Sequence, residues 1–260
     1  MRAIGPGSFG KTSFCYAIGT LAVSLPLLAG SISSPTTAPC ADAIIAKMIQ
    51  ADAVRDRSLR QYSATRHYRL RGDKKRNAEM TVRLDYRTGI GKTFEVLAQN
   101  GADGIYKRVF DKVLEAETES SRRNGEDNSI SAKNYDFQFL GEEKLDGRLC
   151  YVIRLLPKRK SKYLIDGKAW IDAEEYALVR LQGRTSGSVS FWVGRPYIVQ
   201  TYRKVGKYWL AAHNDSVAHV KIMGRMELMI DSSDYAVPGM SDLELADTEH
   251  VPAAKSATVD

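Results

Sequence analysis

Cysteine is scarce in this 260-residue chain, with Cys15, Cys40 and Cys150 as its whole supply. Cys15 lies in an apolar leader, Cys40 at the leader's end, and Cys150 alone is well inside the body of the chain. One thiol cannot close an internal disulfide, so the fold must rest on its core. Metal-ligand spacing is also missing: His67, His213, His219 and His250 come without a C-x-x-C or H-E-x-x-H pattern, and no metal site is expected. No acidic residue precedes Asp42, and no run of about 20 uninterrupted apolar residues exists to serve as a retained membrane span. A nucleophile elbow, G-x-S-x-G, is lacking too. A chain without a basic cluster and a stacking motif is a poor fit for nucleic acid.

What the N-terminus has is a basic start (Arg2, Lys11), then SFCYAIGTLAVSLPLLAG from Ser13 to Gly30, then small residues. This order describes a secretory signal peptide, residues 1–40, with candidate cuts at Ala29 to Ser33, at Ala38-Pro39-Cys40, or at Ala41-Asp42-Ala43. A soluble exported protein is favoured over a lipid-anchored one, because Pro39 stands where a lipoprotein leader wants a small flexible residue. The stretch GPGSFGKT, residues 5–12, matches the phosphate-binding loop G-x-x-x-x-G-K-[ST], yet only four residues stand before it where a buried strand is required. Asp166 and Asp231 are the candidate acidic partners for such a loop, but an apolar run ending in Asp is also an ordinary strand reaching a turn. No nucleotide and no cofactor are expected. Losing Arg2 and Lys11, and no acidic residue, takes the net charge from +7 to +5, a mildly basic chain suited to an acidic membrane surface, an anionic partner or a solvated exterior.

The remaining chain of roughly 220 residues suits a single domain. Ile45, Met48, Ile49, Ala53 and Leu59 give Ala41 to Gln61 the spacing of an apolar helix stripe. The period then changes to two: Ala78, Met80, Val82, Leu84 and Tyr86 alternate with Glu79, Thr81, Arg83, Asp85 and Arg87, the mark of a half-buried antiparallel strand. Similar strands are predicted over Tyr62–Arg71 and Lys92–Gln99, with RGD and TGIG as turns. A second helix is predicted from Gly104 to about Ser121, with Ile105, Val109 and Val113 in one row and Tyr106, Phe110 and Leu114 beside it. Residues 119–134 read as a polar loop or lid. Seven strands follow, over Tyr135–Glu142, Arg148–Pro157, Tyr163–Ile171, Ala177–Arg184, Pro196–Lys204, Tyr208–Val220 and Ile222–Asp234. Asp146-Gly147, Asp166-Gly167 and Val205-Gly206 are predicted hairpin turns. The tail from Val237 to Asp260 reads as disordered. About ten strands must curl to bury their apolar face. The expected fold is therefore mainly β with two helices (α+β): a curved antiparallel incomplete barrel of about ten strands, 41–236, with helices covering the concave apolar face. A closed lipocalin-type barrel is the alternative, and it leaves the second helix without a seat.

The order of elements, and most of all KYLIDGKAWIDAEEYALVRLQG (162–183), FWVGRPYIVQTYRKVGKYWLAAH (191–213) and IMGRMELMIDSSDY (222–235), resembles the LolA-like family of outer-membrane lipoprotein carriers and lipoprotein-sorting proteins. The resemblance implies a periplasmic protein whose curved sheet and helices enclose a hydrophobic cavity for acyl chains or an apolar peptide. The longer middle and the more charged strands depart from the short carriers and leave the cargo open. Candidate cavity residues are Met80, Val82, Leu84, Phe94, Trp170, Trp192, Trp209, Met226 and Leu228. Each buried acyl CH₂ is worth about 0.8 kcal/mol, so such a cavity needs no catalytic signature. Arg66 interrupts the apolar row Tyr62, Ala64, Tyr68, Leu70. A charge on that face needs a partner, and Arg66 is the candidate latch. For an enzyme, His213, Asp215 and His219 would share a strand face while Ser216 points away, so no catalytic residue is assigned. The expected activity is a carrier of lipid or lipidated protein, monomeric and without chemistry. The alternative is an envelope module that senses stress by docking a partner protein through the same fold.

Overall fold

A computed structural model describes residues 40–73, 77–101, 104–122, 128–221 and 223–240. The expected leader, with its phosphate-loop pattern, lies outside the described residues except for Cys40, and so does the expected tail from 241. Helix α1 (Ala41–Ser58) is followed by strands β1 (Gln61–Gly72), β2 (Asn77–Arg87) and β3 (Gly91–Asn100). Helix α2 (Gly104–Arg122) comes next, then β4 (Tyr135–Leu145), β5 (Arg148–Pro157), β6 (Ile165–Asp172), β7 (Leu178–Thr185), β8 (Tyr197–Val205), β9 (Tyr208–Val220) and β10 (Gly224–Ala236). Among the described residues no helix is long and apolar enough to cross a membrane.

The ten strands form one antiparallel sheet in the order β3-β2-β1-β10-β9-β8-β7-β6-β5-β4. Its two outer strands do not pair with each other, so the barrel is incomplete. One pairing departs from simple up-and-down order: β1 lies against β10, with Tyr68 opposite Ile230 and Leu70 opposite Leu228. Alternation, interrupted by bulges in several of the strand pairs, carries one face across the sheet. On β1 that face holds Ala64, Arg66, Tyr68 and Leu70; on β5 it holds Tyr151, Ile153 and Leu155.

Both helices sit on this face, at opposite ends of the sheet. α1 has Asp42 in its first turn and Arg55 and Arg57 in its last, as the helix dipole favours. It packs Ala41, Ile44, Ile45 and Met48 onto Tyr135, Ile153, Leu155, Ala169 and Ile171. The buried stripe therefore runs one position earlier than the sequence spacing suggests: Ile44 is buried, and Ile49 is 43% exposed. α2 seats Tyr106 and Phe110 on Tyr68, Leu70, Ala78, Met80, Val82 and Met226, with Val109, Val113 and Leu114 beside them. Its last turn extends into the region read as loop. The end of that region is anchored: Asn134 is fully buried, its amide donates to the Ser129 carbonyl at 2.9 Å, and Ile130 packs against the α1 cluster.

Asp146-Gly147 closes the β4–β5 hairpin with φ of 49° and 82°, the left-handed pair that such a turn requires. Asp166-Gly167, by contrast, is not a turn. It lies inside β6, where Gly167 faces Gly183 of β7. A Cβ on Gly167 would stand 1.9 Å from the Gln182 carbonyl oxygen, so the glycine serves close strand approach there and not chain reversal. Past β10 the chain remains packed for a few residues, with Val237 buried and Met240 against the same cluster.

Replacing Gly167 by Val is expected to force β6 and β7 apart and cost on the order of 1–3 kcal/mol, the range for overpacked interiors. A fall in the urea midpoint with unchanged cooperativity would show it, and an unchanged midpoint would contradict the close approach.

Candidate functional site

Between the C-terminal halves of the two helices the sheet face is left uncovered, and a cavity of about 810 Å³ opens there. α1 and the chain after it contribute Arg55, Asp56 and Leu59; α2 contributes Val113, Ala116, Glu117, Ser120 and Ser121. Its floor comes from β1 and β8 to β10, including Tyr62, Arg66, Ile198, Gln200, Tyr202, Leu228 and Ile230. Apolar and polar groups are thus mixed. Burial pushes the Tyr202 hydroxyl up to about 12, against the pull of Arg55, so it stays a neutral hydrogen-bonding group.

At the α2 side Arg66 is only 5% exposed. Its guanidinium Nη1 donates to Glu117 Oε2; Tyr68 Oη donates to Glu117 Oε1 at 3.0 Å, and Lys92 Nζ reaches Glu117 Oε2 at 3.3 Å. One carboxylate therefore serves two cations and a phenol. Burial alone would raise Glu117, but Lys92 and Arg66 hold it below the ordinary carboxylate range. Burial would likewise discharge Arg66, and Glu117 keeps it firmly charged. Lys92, partly buried, is pulled below the usual lysine value by desolvation and by the nearby Arg66, despite Glu117. The Arg66 Nε is buried and has no hydrogen-bond partner among the described residues. The sequence marks Arg66 as needing a carboxylate; what it does not show is that Glu117, in the last turns of α2, is that carboxylate.

The remaining candidates are dispersed. Trp209 and Leu228 line the cavity. Met80, Val82 and Met226 are buried in the core beneath α2, Leu84 is buried in a neighbouring core cluster, and Phe94 packs against both. Trp170 lies on the opposite face, because it alternates with Ala169 and Ile171. Its indole donates to Glu143 at 2.9 Å, and Arg180 stacks over its ring. Trp192 is 53% exposed in the β7–β8 loop, away from the cavity. Residues that the sequence reading did not single out, Tyr62, Tyr202, Ile198 and Ile230, line the floor instead. Their inward parity is visible only once β8 to β10 are placed in register with β1.

On the outer face, His213 Nδ1 is 2.5 Å from Asp231 and Nε2 is 3.0 Å from Asp215. Arg69 also pairs with Asp231. Ser216 bonds to Asn214 on the other face, so no serine–histidine contact forms. Asp166, in turn, is held by Arg154 at 2.5 Å. Asp215 and Asp231 raise His213 to about 9 against the effect of burial, with the Asp215 hydrogen bond the largest cause. Cys150 is buried and its thiol is pushed up to about 11, chiefly by that burial. Among the described residues no group of histidine, cysteine and carboxylate side chains could hold a metal ion.

The family model of the MucB/RseB N-terminal domain matches residues 91–187, from the start of β3 to just past β7. No curated protein sequence matches the chain. Among solved structures, a domain provisionally assigned to outer membrane lipoprotein sorting, from Vibrio parahaemolyticus, is 15% identical with a TM-score of 0.43, over 77% of this chain and 95% of that one. A LolA superfamily protein from Nitrosomonas europaea is 12% identical with a TM-score of 0.39, over 80% and 98%. A chain of the Pseudomonas aeruginosa MucA/MucB complex is 10% identical with a TM-score of 0.26, over 79% and 96%. The chain is thus similar to LolA-like proteins, the class its sequence resembles. Scores this low leave the fold to be argued from its own strands and register.

Glu117→Gln should leave Arg66 buried without a counter-charge and cost about 3–5 kcal/mol in urea unfolding at neutral pH. Replacing Arg66 and Glu117 together by leucine should recover much of that loss, and equal losses in single and double variants would show that the two do not act as a pair. For His213, the raised value means that its stabilisation is complete below the unfolded value of 6.5 and is lost as pH climbs towards about 9. Its imidazole resonances should therefore remain those of the protonated ring at neutral pH, and Asp215→Asn should move their titration down.

Proposed function

We propose that this is an envelope protein of the periplasm, exported by its leader, that holds an amphiphile with an acyl chain in the cavity between α1 and α2. The observation that carries this reading is the cavity itself. At about 810 Å³ it falls within the range of about 300–1,000 Å³ usual for ligand sites, and it combines an apolar floor with a buried, charged Arg66. Leu59, Val113, Ile198, Leu228 and Ile230 supply surface for methylene groups, each worth about 0.8 kcal/mol when taken from water. The charge of Arg66, whose buried Nε has no hydrogen-bond partner among the described residues, favours an acidic or carbonyl head group nearby. This suits lipid or the lipid of a lipoprotein better than a bare hydrocarbon. No chemistry is assigned to the site.

A second reading, docking of a partner protein in a stress-signalling complex, is favoured by the match of residues 91–187 to the MucB/RseB N-terminal domain. The solved MucA/MucB complex gives that reading a named parallel. The free edge strand β3 falls within the matched span and leaves Val96 and Leu97 half exposed.

Native mass spectrometry of protein isolated from the periplasm without detergent is expected to show adducts of fatty-acid, phospholipid or lipopeptide mass. Purified protein should bind a fluorescent fatty acid, and Leu228→Asp should weaken that binding roughly tenfold or more by placing a charge on the apolar floor. A bare protein that takes up no acyl probe would turn the assignment to partner docking.

A further inference from the structure

The loop between β7 and β8 carries the most exposed large hydrophobic side chain among the described residues, Phe191, with a second exposed aromatic next to it. Phe191 is 74% exposed and Trp192 53%, and neither belongs to a core cluster. This is an ordered loop, not a loose one. Val193 bridges Val220, the Lys221 amide donates to the Trp192 carbonyl at 3.0 Å, and the Gly194 amide donates to His219 at 3.2 Å. The two rings meet edge to face with centroids 5.2 Å apart, and the Lys221 ammonium stands 3.4 Å from the Phe191 centroid. An aromatic pair held at a surface in this way, at the cost of leaving it wet, calls for an occupant.

The charge around it names the occupant. The base of the loop is joined to the β5–β6 connection, where the Gly187 amide donates to Ser161 at 2.9 Å and the Ser161 amide to Ser186 Oγ at 2.8 Å. That connection reads KRKSK over 158–162, and all four of its basic residues are exposed. It is a basic cluster that the sequence reading passes over. No acidic residue occurs between Asp146 and Asp166, nor between Glu175 and Asp215. Lys158 is committed to Asp136, and Arg159 to Asn134. Lys160, Lys162 and Lys221 form no ion pair among the described residues. Phenylalanine and tryptophan beside unpaired lysines match the boundary between head groups and acyl chains in an anionic bilayer, where the rings enter the interface and the cations meet phosphate.

We propose that the Phe191–Trp192 loop, together with Lys160, Lys162 and Lys221, is a docking patch for the surface of an anionic membrane. Apart from Lys162, which also stands at the wall of the ligand cavity, the patch lies outside it, and its action does not require the cavity to hold lipid.

Trp192 supplies a local probe, since Trp170 and Trp209 are buried. The whole protein is mixed with phosphatidylcholine vesicles with and without phosphatidylglycerol, some carrying bromines on their acyl chains. Quenching of Trp192 by brominated lipid is expected only on the anionic vesicles, and it should weaken as salt is raised. Lys160→Glu and Lys221→Glu together, which leave the cavity lining untouched, should reduce vesicle binding at least tenfold. Phe191→Ser with Trp192→Ser should do the same while leaving the melting temperature unchanged, because neither ring supports the core. A Leu228→Asp variant should dock as the parent does, which separates this patch from the cavity. Binding equal in parent and patch variants, or Trp192 unquenched on bound vesicles, would overturn the proposal. So would binding to a soluble polyanion such as heparin in the absence of any vesicle binding, which would assign the patch to a polymer instead.

Discussion

The pairing of β1 with β10 is the constraint on which the rest of the structure depends. Without it the chain would form two pieces, β1 to β3 beneath α2 and β4 to β10 beside α1, each with an exposed sheet edge. Nine residue pairs, from Ser63–Ala236 to Gly72–Met226, fuse them into one sheet. The same pairing fixes parity: because Arg66 lies opposite Ser232 and Leu70 opposite Leu228, the apolar face of the first three strands continues into the last strands. A slip of one residue would turn Leu228 and Ile230 outward and bring Asp231 into the cavity.

That shared face determines the character of the site. Two helices are too few to cover ten strands, and they pack over Tyr68 and Leu70 at one end and Ile153 and Leu155 at the other. The interval between them is covered by neither, so the cavity arises from incomplete cover and not from a dedicated set of binding residues. Its charged element also holds the structure. Glu117 ties α2 to β1 through Arg66 and Tyr68 and to β3 through Lys92, so the wall of the cavity is held by the same groups that give it polarity.

Much of the fold was legible from the chain. The period-two runs placed the strands within two residues of their observed ends, save β4, which runs three residues further to Leu145, and the number of strands against two helices pointed to an open barrel. Asp166-Gly167 was misread because an Asp-Gly pair has the same appearance in a turn as in a strand that must approach another glycine, and only Gly183 opposite explains it. The site was less legible. Arg66 stood out because a charge broke an apolar row, and its partner did not, because Glu117 is one of several acids in an acidic helix end. Trp170 and Trp192 look like cavity residues by type alone. Facing direction depends on the cross-strand register, in which bulges such as that between Trp170 and Ile171 change the parity.

The β1–β10 pairing also sets a timetable. β1 ends at Gly72 and β10 begins at Gly224, so about 150 residues must be made after the first strand before its partner exists. At about 5–20 residues per second that interval is on the order of ten to thirty seconds. Through that time the N-terminal strands have no template on which to complete the sheet, and long-range pairing of this kind forms slowly even afterwards. A fold whose first strand waits for its last remains threadable until synthesis is nearly finished, and becomes compact only where the whole chain is present.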